Sequence, residues 1–163
     1  ARTKKRFSPP RGTVTEVLDE LAALRDRLVT AGVHAENIIL DPGLGFAKGG
    51  MQDWELLAAL GQLHALGHRV LIAGSRKRFL ANALNAADAA RTKTQHPAAG
   101  ANTVPDQMPP ARAPEDRDAA SAALSALVAA QGVWGVRVHN VPPTVDAVTV
   151  ANTLRTVIRT NQT

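Results

Sequence analysis

Three places in the chain set ionisable side chains at the ends of short apolar runs. In LIAGSRKRFL, residues 71–80, small and aliphatic residues give way to Ser75, Arg76, Lys77 and Arg78. Asp41 closes the run NIILD (37–41), and Arg137 and His139 lie in WGVRVHNV (134–141). Arg137 and His139 are two apart, so on a strand they share a face while Val136 and Val138 take the other. One carboxylate, several cations and an imidazole suit a ligand with hydrogen-bond donors at one end and negative charge at the other. Each residue also has a plainer reading. The basic run can be a solvated surface, Asp41 can cap the turn that follows it, and His139 can be a satisfied core histidine. A buried Arg137 would be costly unless it met an anion or a carboxylate.

The elements that must position these groups follow from hydrophobic spacing. Val14, Val17, Leu18, Leu21, Leu24 and Leu28 mark a helix over about 14–29. Thr13 and Glu16 stand three apart, as in a capping box, and Gly32 is a stop. A Gly-rich turn, PGLGFAKGG, leads to a second helix over about 53–66, with Leu56, Leu57, Leu60 and Leu63. RVLIAG (69–74) reads as a strand, 115–131 as a third helix, and Val145, Val148, Leu154, Val157 and Ile158 mark a last one. Three strands alternating with four helices predict an α/β fold with a parallel sheet, whose ligand site lies beyond the carboxyl ends of the strands. Residues 85–113 interrupt this order. They carry four of the ten prolines and no aliphatic periodicity, and a flexible insertion is expected there.

The chain has 163 residues, 45% of them hydrophobic and 20% charged, enough for one domain with a real core. No apolar stretch approaches the roughly 20 residues that span a bilayer, so no membrane association is expected. The start, ARTKKRFSPPRGT, lacks the apolar centre of a signal peptide, and there is no cysteine. A cytoplasmic location is the expectation. The net charge of +5 is confined to Arg2, Lys4, Lys5, Arg6 and Arg11, since the other 14 Lys and Arg balance all 14 acids. That segment holds one aromatic, Phe7, and no recognisable nucleic-acid module, so a nucleic-acid partner is not expected.

LDPGLGFAK (40–48), SRKRFL (75–80) and VRVHNV (136–141), in this order, resemble the C-terminal signatures of dihydropteroate synthases. RDAASAALSALVAAQGVWG (117–135) is similar to that family's helix before its final strand. The resemblance implies the C-terminal portion of a (β/α)8 TIM-type barrel spanning residues 1–163. The whole enzyme would join 4-aminobenzoate to 6-hydroxymethyl-7,8-dihydropterin diphosphate, giving 7,8-dihydropteroate and pyrophosphate. It implies that Asp41, Lys77 and Arg137 bind the pterin, and that Phe46, Ser75 and Arg76 lie near 4-aminobenzoate, where sulfonamides compete. Arg137 and His139 would hold the diphosphate, with Lys77, Arg137 and His139 as the catalytic set. A Mg²⁺ ion is implied, its Asn ligand on a first strand that has no counterpart in these residues, and the intact protein is implied to be a homodimer.

The sequence departs from the family pattern at KGGMQD (48–53), at Ala73–Gly74, and at Asn140, which stands where the family usually has an acid. Three strands are also fewer than a barrel of about 250 residues needs. The 163 residues by themselves are therefore expected to be inactive. The rival expectations are a degenerate homologue that binds pterin or diphosphate without turnover, and an anion-binding protein that uses its basic N-terminal segment.

Overall fold

The structure is a computed structural model that describes residues 11–46, 51–95 and 111–161. The basic residues Arg2 to Arg6 lie outside these ranges. The first helix, α1 (Thr13–Thr30), begins at Gly12, whose φ of 90° turns the chain into the helix, and is followed by Gly32 at φ 92°. The expected capping box does not form. Thr13 is the first helical residue and is buried, while Glu16 takes the guanidinium of Arg11 at 3.2 Å.

Strand β1 (Ile39–Leu40) is shorter than the 37–41 expected, because a 3₁₀ turn at Ala35–Asn37 occupies its start. The helix read as 53–66 is two helices, α2 (Gln52–Ala58) and α3 (Leu60–His64), broken at Ala59. Leu56, Leu57, Ala59, Leu60 and Leu63 are all buried. That apolar stripe is wide for one straight helix, and the turn at Ala59 brings the whole of it to the core.

Strand β2 (Arg69–Ile72) then leads to α4 (Arg78–Gln95), a helix that periodicity did not announce. This corrects the insertion drawn at 85–113. Its first eleven residues are helical, built on Ala-rich sequence whose propensity favours helix without an aliphatic stripe. Residues 96–110 lie outside the described residues. The chain is again tied to α4 at Arg112, which grips Asp88 with Nε and Nη2 at 2.7 and 2.8 Å. After a 3₁₀ turn at Glu115–Arg117 come α5 (Asp118–Ala130), β3 (Gly135–Val136) and α6 (Val141–Thr160). Pro142 and Pro143 fall in the first turn of α6, where missing N–H groups cost least.

The sheet is parallel, in the order β1-β2-β3, as the alternation predicted. Ile39 faces Arg69, Leu40 faces Val70, and Ile72 faces Val136. Val70 and Ile72 enter a core with Leu44, Leu56, Leu60, Leu63, Leu124 and Val128. Phe79 of α4 meets Trp54 of α2 edge to face, with centroids 5.0 Å apart. At the amino ends of the strands, polar groups serve the structure. Arg69 lies over Trp134 and bonds the Glu36 carbonyl, and His68 Nδ1 lies 3.2 Å from the Ala35 carbonyl. Among the described residues, no helix is long and apolar enough to cross a membrane.

Beyond β2 the backbone runs close against α5. A Cβ on Gly74 would stand 2.5 Å from Leu124 Cδ2, so only glycine fits without repacking. Gly74→Ala is expected to cost about 1–3 kcal/mol as an overpacked site. In a Leu124→Ala background the added cost should largely vanish, because the opposing methyl is gone. Urea unfolding of the four proteins measures both effects, and an equal cost in the two backgrounds would contradict the contact.

Candidate functional site

All three strands end in polar groups on the same side of the sheet, and the turn after β2 organises them. Lys77 N–H donates to the Gly74 carbonyl at 3.3 Å, and Arg76 between them has φ 58°, the left-handed region that a non-glycine residue seldom adopts. Two contacts hold it there. The Arg76 backbone N–H donates to Ser121 Oγ at 3.0 Å, and its guanidinium grips Asp118 with Nε and Nη2 at 2.7 and 2.8 Å. Arg117 closes the other side, donating to the Arg76 carbonyl at 2.8 Å. The Arg76 guanidinium is therefore engaged at the start of α5, beside the loop that follows β3.

Lys77 points the opposite way, across the loop after β1. Its Nζ bonds the Leu44 carbonyl and lies 4.7 Å from the centroid of Phe46, a ring that is 64% exposed. Gly45 makes room for the lysine stem, since a Cβ there would stand 2.9 Å from Lys77 Cδ. Two carboxylates shape the same loop. Asp41 Oδ1 accepts the Gly43 N–H at 2.8 Å, so its turn-capping reading is correct as far as one oxygen goes. Asp53, 3% exposed on α2, accepts the Gly45 N–H at 2.7 Å.

The other oxygen of Asp41 faces Arg137 Nη2 at 3.8 Å, a separation at the limit of an ion pair. The Arg137 side chain is 65% exposed, so it avoids the burial cost considered from sequence. His139 is also exposed, and Val136 and Val138 are half-buried, which matches the predicted alternation of faces. The His139 backbone N–H and Nδ1 both lie on Ser75 Oγ, at 3.3 and 3.1 Å. Asp41, Phe46, Ser75, Lys77, Arg137 and His139 thus occupy the loops beyond the carboxyl ends of the three strands.

Sequence reading missed Asp118 and Asp53. Both are acids in the first turn of a helix, a position any helix favours, and spacing gave no sign that each would reach a distant loop. Asp118 is the hub of the α5 side. Its Oδ2 also accepts Asn140 Nδ2 at 2.9 Å, so the residue that replaces the family's usual acid is an amide donor to a carboxylate. Hydrogen bonds from Arg76 and then Asn140 hold the Asp118 carboxyl at about 2, below its ordinary 3.8. Among the described residues, no group of three or more His, Cys, Asp or Glu could hold a metal ion.

This depressed value sets a pH dependence. Because the folded-state pKa lies below the unfolded one, the stability that Asp118 contributes is fully present above pH 3.8 and is lost as pH falls towards about 2. The difference in unfolding free energy between the native chain and Asp118→Asn should be steady from neutral pH to about pH 4 and should narrow from there to about pH 2. Denaturant titrations across that range measure it, and a difference that widened on acidification would contradict the assignment.

The family described as pterin binding enzyme matches residues 2–139 of this chain. A dihydropteroate synthase of Mycobacterium leprae is 43% identical over 140 residues, 86% of this chain and 42% of that protein. One from Staphylococcus epidermidis is 36% identical over 128 residues, 78% of this chain and 38% of its own length. Among solved structures, Yersinia pestis dihydropteroate synthase with a sulfonamide drug superposes with a TM-score of 0.71 at 26% identity, covering 96% of this chain and 46% of that one. The Thermus thermophilus enzyme in complex with 4-aminobenzoate gives 0.68 at 31% identity, over 90% of this chain and 46% of that one. The chain spans about two-fifths of the length of these curated relatives, and its parallel strands and helices match about half of a (β/α)8 barrel. Fold, motif order and sequence agree, and the chain belongs to the pterin binding enzyme family.

Proposed function

We propose that this chain supplies one side of a dihydropteroate synthase site, at which 4-aminobenzoate and 6-hydroxymethyl-7,8-dihydropterin diphosphate become 7,8-dihydropteroate and pyrophosphate. The observation that carries the reading is the meeting of Asp41 and Arg137 at 3.8 Å, across the sheet at the strand ends. A carboxylate fixed by the Gly43 N–H keeps one oxygen for the amino-pyrimidine edge of a pterin. The exposed guanidinium of Arg137 can leave a long, weak ion pair at little cost and lie against the pterin ring and its diphosphate. Lys77, held over the loop of Phe46, adds a second cation and a donor to the ring.

In this reaction the C–O bond between the pterin methylene and the diphosphate breaks, the amine nitrogen bonds to that carbon, and the amine gives up a proton. Positive charge develops at the methylene and negative charge on the departing group. Fixed donors at the departing oxygens lower the barrier because they need no reorganisation when the charge appears. Arg137 and His139 are the donors this chain offers. No protein nucleophile is required. The family resemblance adds Mg²⁺, with its ligand expected on a strand outside these residues, and the ion would screen diphosphate charge. Homodimeric assembly rests on the resemblance alone, and a cytoplasmic location on the character of the sequence.

A degenerate homologue would bind without turnover, and the departures at 48–53, at Ala73–Gly74 and at Asn140 together raise it. Here the Asn140 amide is committed to Asp118, so its exchange is accounted for by the packing of α5. The decisive measurement is dihydropteroate detected by mass, for this chain alone and for the chain joined to the barrel strands of a relative. Product from the joined protein supports the reading, and pterin binding without product supports the degenerate homologue. In an active protein, Lys77→Ala and Arg137→Ala should each lower kcat/KM for the pterin diphosphate by roughly 10- to 150-fold, the loss of one hydrogen bond to a charged group. Thermal unfolding should be nearly unchanged in the Arg137 variant. Unaltered kinetics in either variant would remove that residue from the site.

A further inference from the structure

Ser75 is 5% exposed and its hydroxyl has one proton, which needs an acceptor within the protein. Its oxygen already accepts the His139 backbone N–H at 3.3 Å, and its remaining neighbour among the described residues is His139 Nδ1 at 3.1 Å. If Nδ1 carried the imidazole proton, Ser75 Oγ would accept twice and its own proton would be stranded without a partner. The satisfied arrangement is the reverse, with Ser75 donating and Nδ1 accepting. In the neutral ring the proton then sits on Nε2, at the exposed edge of the imidazole.

We propose that Ser75 is a positioning residue for His139, holding the neutral ring in the Nε2–H form so that its outward nitrogen is a donor to an anion. The inference rests on the reading of His139 as a diphosphate contact and deepens it. Both partners are fixed from behind. Gly74 is pressed against Leu124, Arg76 is clamped to Asp118, and Asn140, next to His139, is bonded to the same carboxylate. The hydroxyl and the ring therefore have little freedom to separate. A histidine on an exposed strand end would otherwise divide its proton between both nitrogens and turn about its side-chain bonds. Ser75 removes both freedoms, as the outer partners of metal-bound histidines do for their rings.

The test is ¹⁵N spectroscopy of the whole 163-residue chain with ring-labelled histidine, at a pH where the rings are neutral. Signals of His139 are assigned by their loss in His139→Gln. The native chain should show His139 in the Nε2–H form alone, with a hydroxyl proton of Ser75 slowed in exchange. Ser75→Ala should give a mixture of the two tautomers at His139, and Ser75→Thr should restore the single form. A native ring protonated at Nδ1, or a Ser75→Ala tautomer balance identical to the native one, would overturn the proposal. The native measurement stands even if a variant fails to fold. Inorganic pyrophosphate, added to the native chain, separates the two readings. A shift at Nε2 supports both. A single Nε2–H form that ignores pyrophosphate would overturn the diphosphate reading of His139 and, with it, the catalytic use of this arrangement.

Discussion

Arg76 stands in a left-handed conformation that side chains disfavour, and it is kept there by the two-pronged bond from its guanidinium to Asp118 together with the bonds of its backbone to Ser121 and Arg117. A residue held in such a region costs on the order of 1 kcal/mol or more, and it persists only where its surroundings impose it. What the strain achieves is directional. Because the backbone reverses at Arg76, the consecutive side chains of Ser75, Arg76 and Lys77 leave for three different elements. Ser75 reaches His139 after β3, Arg76 reaches the start of α5, and Lys77 reaches the loop after β1. A regular strand would have sent Ser75 and Lys77 to one face and Arg76 to the other. The clamp therefore lets one short turn bind the ends of all three strands together.

The same turn explains why the basic run is not a solvated face. Only Arg78, the first residue of α4, is exposed, while Arg76 and Lys77 are half-buried and bonded. Lys77 lies across Gly45, a residue at φ 75° whose missing side chain opens the path. Its ammonium meets a carbonyl dipole and an aromatic face, while the loop's carboxylates, Asp41 and Asp53, each hold a backbone N–H group. A cation oriented by dipoles at the mouth of the strands is well placed to receive an anionic ligand.

How legible this was in the sequence differs from element to element. Strand ends were readable because short aliphatic runs such as NIIL and RVLI are unlike anything around them, and each stops near an ionisable residue. The break at Ala59 was not, since Leu56, Leu57, Leu60 and Leu63 alone fit a single helical stripe, and only the burial of Ala59 widens it. Helix α4 was missed because alanine signals helix through backbone propensity, which leaves no hydrophobic period to detect. The capping box failed because the helix takes Gly12 as its N-cap: Thr13 is already the first helical residue, one place too late for its hydroxyl to cap.

By itself the sequence determined the order of the three strands, the alternation of strands with helices, their parallel sense, and the residues that arrive together at the strand ends. Those follow from local periodicity and from the rule that crossover connections put successive carboxyl ends on one side. Which charges would be bound into the frame and which left open was decided only by the tertiary structure. Arg76 and Arg137 are alike in composition and both follow apolar runs, yet one is locked to Asp118, 42 residues away, and the other stays 65% exposed beside Asp41. Pairing of that kind depends on distances between elements, and a spacing along the chain does not encode them.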